Sequence, residues 1–122
     1  MPVIELFDYT IDSLSEGEIG VSLRFNKMHP VYAGHFPGTP VTPGVCQLMA
    51  VKAVVSDALG QALQLSLAPE IKFLSMHNPF ESESLTLAIK YGIGEDQVIS
   101  VNALISDKQR KILKLNGEYR AV

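Results

Sequence analysis

Thr42-Pro43-Gly44-Val45-Cys46-Gln47-Leu48-Met49-Ala50-Val51-Lys52-Ala53-Val54-Val55-Ser56-Asp57-Ala58-Leu59-Gly60 reads as one helix with both ends marked. Thr42 is a favoured N-cap, and Pro43 suits the first helical position, where the N–H has no partner anyway. Gly60 suits the left-handed residue just past the end. Between the marks only Gln47, Lys52, Ser56 and Asp57 interrupt the apolar side chains. A helix apolar nearly all round is expected to be buried rather than laid on a surface.

On both sides of the helix the pattern changes to period two. Ile19, Val21, Leu23 and Phe25 alternate with Gly20, Ser22 and Arg24. Leu85, Leu87, Ile89 and Tyr91 do the same, as do Ile99, Val101, Ala103 and Ile105, and then Leu113, Leu115, Gly117, Tyr119 and Ala121. Each is the signature of a half-buried strand. Residues 3–13 and Leu67 to Leu74 read as further strands. Glu16-Gly17-Glu18, the run from Gly92 to Asp96 and the run from Ser106 to Gln109 supply turns. About six strands and one long helix result, and short turns imply antiparallel pairing. The expected fold is α+β, a curved antiparallel sheet wrapped around one central helix. A single domain over residues 1–122 is expected, with no internal repeat or linker.

Composition bounds the function. Apolar residues make up 47% of the chain and the net charge is −3, which excludes disorder as the main state. Ten Lys and Arg against thirteen Asp and Glu argue against a nucleic-acid partner. No apolar run approaches a membrane helix, and Met1 to Tyr9 carries Glu5 and Asp8 without the basic start of a signal peptide. No membrane partner is expected, and a cytoplasmic location follows. Cys46 is the only cysteine, so an internal disulfide and a cysteine zinc site are excluded. No metal and no cofactor is expected.

Pro30, Gly34, Pro37, Gly38, Pro40, Pro43 and Gly44 crowd the segment before the helix. That segment is irregular but braced, because proline removes donors and glycine weakens both helix and strand. His35 sits within it. A braced imidazole suits a general base, and the N–H groups at the helix start suit a developing negative charge. At Gly44 no side chain blocks a ligand oxygen from the N–H. A base beside a polarising donor fits proton abstraction next to a carbonyl. For a lone histidine, however, a packing role is the commoner one.

The run Gly34-His35-Phe36-Pro37-Gly38-Thr39-Pro40-Val41-Thr42-Pro43-Gly44-Val45 resembles the signature of the hotdog-fold β-hydroxyacyl-acyl-carrier-protein dehydratases, the hydroxymyristoyl type among them. Pro30-Val31-Tyr32-Ala33, Ile71-Lys72-Phe73, Pro79 and Glu81 extend the resemblance, and the order of elements fits nearly end to end. The resemblance implies a hotdog fold and the elimination of water from a 3-hydroxyacyl thioester, giving the trans-2-enoyl thioester of fatty-acid or polyene biosynthesis. It implies His35 as the base and Gly44 as the carbonyl polariser. Phe36 and Val41 would line the acyl tunnel. The substrate would be an acyl-carrier-protein or CoA thioester, and the protein a homodimer or higher oligomer with the tunnel between chains.

The family's acid, a Glu or Asp on the central helix, falls on Met49. A thioether donates no proton, and the lost acid is worth roughly 10²–10⁴ in rate, or about 3–5 kcal/mol. Gln47, neutral and two residues away, could only bind the hydroxyl or orient a water. Asp57 lies two turns further on, and Glu70, Glu81 and Glu83 cannot be placed from sequence. Val45-Cys46-Gln47-Leu48 also resembles the dehydratase-like proteins of aryl-polyene clusters, some of which pair unequal subunits. A heteromer with a homologous subunit that brings the acid is therefore one alternative. A catalytically silent subunit or acyl-thioester-binding module is another, and an acyl thioesterase a third. Met49, by the resemblance, joins Phe36, Val41 and Gln47 as a substrate-binding position, while taken by itself it reads as core packing.

The remaining candidates read more simply. His29 and His77 read as surface or packing residues and Cys46 as a small buried one. Lys108, Arg110, Lys111 and Lys114 read as a solvated hairpin and edge strand in preference to a docking patch for an acidic carrier.

Overall fold

Each of the period-two segments becomes a strand. The structure, a computed structural model, describes residues 5–33 and 38–122. Within them β1 (Phe7–Ser15) and β2 (Glu18–Phe25) precede the helix α1 (Gly44–Leu59). The strands β3 (Leu63–Phe73), β4 (Ser84–Ile93), β5 (Ile99–Ser106) and β6 (Lys111–Ala121) follow it. Short 3-10 turns occupy Pro30–Tyr32 and Glu95–Gln97. The strands form one antiparallel sheet in the order β1-β2-β4-β5-β6-β3.

Register explains how the sheet carries the helix. Ile11 pairs with Val21, Val21 with Leu87, Leu87 with Ile105, Ile105 with Leu113, and Leu113 with Phe73. One apolar row thus crosses all six strands on the core face. Ala50, Val51, Val54 and Val55 of α1 are fully buried in the same core as these central-strand residues. At about 25 cal/mol per Å² of apolar area, that burial is the main force holding helix to sheet. The far end of the helix is tied as well, by Tyr9 Oη donating to Asp57 Oδ2 at 2.9 Å. Gly60 ends the helix at φ +69°, the left-handed cap its position implies.

Three expectations change. The helix is not buried all round by its own chain. Val45 is 65% exposed and Met49 50%, with exposed Lys52 on the same face. Their spacing of four and then three residues makes that face one stripe. Met49 is therefore not core packing. Second, Thr42 does not cap the helix; Pro43 occupies the cap position with no side-chain cap bond. Third, β6 is not an edge strand, since it lies between β5 and β3. The edges are β1 and β3. Of the basic cluster, Arg110 faces Asp107 at 3.7 Å and Lys114 faces Glu70 at 3.5 Å, both partly or largely in solvent.

Candidate active site

His35 and Phe36, with Gly34 and Pro37, lie outside the described residues. What brackets them is described in full. Tyr32 ends the 3-10 turn before them, and Thr42 follows them two residues before the helix. Both are buried, at 6% and 2% exposure. Tyr32 Oη and Thr42 Oγ1 are 2.7 Å apart, a buried hydrogen bond between the two described residues.

His77 extends that hydrogen bond on the Thr42 side. It is fully buried, which excludes the surface reading and leaves the packing one, with hydrogen bonds added to it. Its Nδ1 is 2.7 Å from Thr42 Oγ1 and its Nε2 is 2.7 Å from the Ser82 carbonyl oxygen. A carbonyl only accepts, so Nε2 carries the proton and Nδ1 of the neutral ring accepts. Thr42 Oγ1 then donates to Nδ1, and Tyr32 Oη donates to Thr42 Oγ1. The chain of donors runs one way, from Tyr32 through Thr42 to His77. Burial lowers the His77 pKa, the Arg110 charge adds to the lowering, and the Ser82 carbonyl and Asp107 oppose it. The Thr42 N–H also donates to the His77 carbonyl at 2.8 Å.

Gly44 opens α1. As the first helical residue its N–H has no acceptor one turn back, and the helix dipole favours negative charge there. Its missing side chain has a second cause. A Cβ at Gly44 would lie 2.5 Å from Phe73 Cζ and 2.8 Å from Cε1. The Phe73 ring, at the end of the apolar row, occupies that space. Phe73 belongs to the wider family resemblance, but nothing local in the sequence signals this contact.

Gln47 and Met49 part company. Gln47 is buried at 3% exposure, and its Nε2 donates to the Thr42 carbonyl at 3.3 Å. That acceptor fixes the amide orientation, since the reverse would set two oxygens together. Gln47 Oε1 is left buried with no hydrogen-bond partner among the described residues. An orphaned acceptor costs about 1–3 kcal/mol, and its complement is an O–H or N–H donor. Met49 stands on the exposed stripe instead. Val41 is half-buried just before Thr42.

The carboxylates that could replace the acid are engaged or distant. Asp57 accepts from Tyr9 near the helix C-terminus. Glu70 pairs with Lys72 and Lys114, each at 3.5 Å, and accepts from Asn116. It sits opposite Asn116 and next to Ile71, which pairs with fully buried Leu115, so alternation turns Glu70 away from the helix. Glu83 faces Arg24 at 3.7 Å, and Glu81 is exposed in a turn. Cys46 is buried and burial raises its pKa, which describes an inert thiol. His29 Nδ1 accepts from the Val31 N–H and caps the short 3-10 turn. No cluster of three or more His, Cys, Asp or Glu able to hold a metal occurs among the described residues. No described helix is long and apolar enough to cross a membrane.

A family model described as ApeI dehydratase matches residues 11–111. No curated protein matches the chain in sequence. Among solved structures, an uncharacterised protein from Erwinia carotovora subsp. atroseptica is 22% identical, with TM-score 0.65 over 100% of this chain and 98% of its own. The dehydratase heterocomplex ApeI:P from Xenorhabdus doucetiae is 19% identical, with TM-score 0.63 over 98% of both chains. A hypothetical thioesterase with coenzyme A from Streptococcus pneumoniae is 12% identical, with TM-score 0.69 over 94% of this chain and 86% of its own. These likenesses establish the hotdog fold.

Proposed function

The chain belongs to the ApeI-like dehydratase family, and from that premise we propose that it removes water from a 3-hydroxyacyl thioester carried by acyl carrier protein or CoA. The observation that carries the reading is the run of residues 34–45, which holds a histidine and a helix-opening glycine together in a chain of that family. His35 takes the proton from C2. The Gly44 N–H binds the thioester oxygen as charge builds on it. The C2 electron pair forms the C2–C3 double bond as the C3–O bond breaks, and hydroxide leaves with a proton as water. Phe36 and Val41 line the acyl chain. Gln47 Oε1, with no donor of its own, accepts from the substrate hydroxyl and orients it. In this reading the base, the carbonyl polariser and the hydroxyl-orienting amide belong to a single domain over residues 1–122, and the acid does not.

The proton for the leaving hydroxyl comes from a second subunit. Met49 cannot supply it, and residues 44–56 contain no Asp or Glu. The exposed stripe at Val45 and Met49 supports such a subunit, as does the β3 edge, where Leu67 is 54%, Ile71 36% and Phe73 52% exposed. Apolar surface of this kind beside an unpaired strand edge is commonly covered by another chain. That the Xenorhabdus relative is a heterocomplex favours a homologous partner bearing the acid over an identical one.

Turnover of 3-hydroxyacyl carrier-protein thioester to the 2-enoyl product, by the protein alone and with a co-expressed homologue, tests this. Activity is expected chiefly in the mixture. Turnover in neither would contradict it, and release of free thiol would indicate a thioesterase. Met49 itself favours a second reading, a silent acyl-binding subunit. Under that reading the mixture's activity would survive His35→Ala in this chain.

A further inference from the structure

Gln47 stands one turn after Gly44, and a spacing of three places both on the same face of α1. Helix side chains lean toward the N-terminus, and that of Gln47 reaches back far enough for its Nε2 to donate to the Thr42 carbonyl at 3.3 Å. Thr42 is held in turn by its N–H, which donates to the His77 carbonyl at 2.8 Å. The other end of the amide has no such tie. Gln47 is 3% exposed, and its Oε1 is buried without a hydrogen-bond partner among the described residues. Its neighbours along the same face, Pro43, Gly44, Ala50 and Val51, carry no side-chain donor. The Gly44 N–H, first in the helix, has no acceptor within it. The helix start therefore offers one donor and one acceptor, both uncharged, with the half-exposed Phe73 ring against Gly44 as an apolar wall.

We infer that Gln47 is a specificity-determining residue, whose orphaned Oε1 makes the helix start select thioesters with a hydroxyl at C3 over their 3-oxo and 2-enoyl counterparts. This rests on the reading of the Gly44 N–H as the group that binds the thioester oxygen. An amide oxygen only accepts. With the thioester oxygen on Gly44, a C3 hydroxyl donates to Oε1 and gives it the partner it lacks. A 3-oxo group sets two acceptors against each other, and a 2-enoyl chain leaves Oε1 as it was. A buried acceptor left unpaired separates such ligands about tenfold or more in affinity. The same selection acts on the product. Once water has left, C3 carries no donor, so the enoyl thioester is held less well than the substrate it came from. A hydroxyl that donates to Oε1 also keeps its lone pairs for the proton it needs on leaving.

The test titrates the full chain, in its native assembly, with a series of acyl-pantetheine derivatives followed by calorimetry. All carry the same acyl chain, joined as an amide so that nothing turns over. They differ only at C3, which bears a hydroxyl, a fluorine, an oxo group or the 2,3-double bond. The hydroxyl derivative is expected to bind about tenfold or more tighter than each of the others. Fluorine is close to the hydroxyl in size and donates nothing, so that pair isolates the donor. Gln47→Leu should weaken the hydroxyl derivative alone and level the series. If that variant does not fold, the wild-type series decides. Equal affinity for the hydroxyl and fluorine derivatives, or a parallel loss of the whole series in Gln47→Leu, would overturn the inference and leave the Gly44 reading in place. Binding of none of the derivatives would overturn both.

Discussion

The imidazole of His77 loses its water on folding and gains two partners that suit only its neutral form. Its pKa in the folded protein is below the ordinary 6.5, so the unfolded chain binds more protons in the window beneath that value. Stability from this group is present above pH 6.5 and is lost as pH falls from there toward the depressed folded-state pKa. Thermal melts between about pH 8 and about pH 5 should show Tm falling on the acid side. His77→Gln should flatten part of that fall, and an unchanged slope would count against the buried neutral ring. Gly44 makes a second prediction at this scale. Gly44→Ala would push the half-exposed Phe73 ring from its seat, at an expected cost of no more than about 1 kcal/mol by denaturant melts, the low end for overpacking. Adding Phe73→Ala should recover part of that loss, because the two share one space.

At the scale of elements, the strands were legible because each shows one face to the core. Ile19, Val21, Leu23 and Phe25 are all at most 2% exposed, as their alternation requires. The helix end was legible because Gly60 does a job that only its φ allows, and Gly60→Ala should cost about 1 kcal/mol in a thermal or denaturant melt. The helix start was not legible, since a threonine before Pro-Gly satisfies the capping pattern whatever its hydroxyl meets. Here it meets Tyr32 and His77, which are 10 and 35 residues away. Strand order was also out of reach. β6 returns to pair with β3 across two intervening strands, so which strand forms an edge depends on tertiary pairing, not on local pattern. Of the candidate site, His35 and Gly44 are read from the motif alone and stand as a proposal. The buried His77 and the Phe73 ring were not legible, because only long-range contact gives them a role.

For the whole molecule, the decisive feature is that α1 presents two apolar faces and the described residues cover one. The sheet takes Ala50, Val51, Val54 and Val55, while Val45 and Met49 are 65% and 50% exposed, and β3 has an edge unpaired among the described residues. The proposed second subunit would bury that second face. Leu67→Lys with Ile71→Lys should therefore shift the assembly to monomer in sedimentation, with the monomer still folded by circular dichroism. Retention of the wild-type assembly would place the interface elsewhere. Met49→Glu should raise dehydration by the protein without its partner, by up to ~10²–10⁴-fold if the restored acid is correctly placed.

The proton abstraction assigned to His35 and Gly44 can be read apart from the missing acid. Removing the C2 proton does not require that the hydroxyl leave, so hydrogen exchange at C2 reports the base and the polarising N–H by themselves. The measurement is deuterium uptake at C2 of a carrier-protein thioester in D₂O, followed by mass spectrometry, for the assembled protein with and without His35→Gln in this chain. Exchange well above buffer that disappears in His35→Gln is the predicted result. Exchange no faster than buffer, or equally fast in the variant, would contradict it.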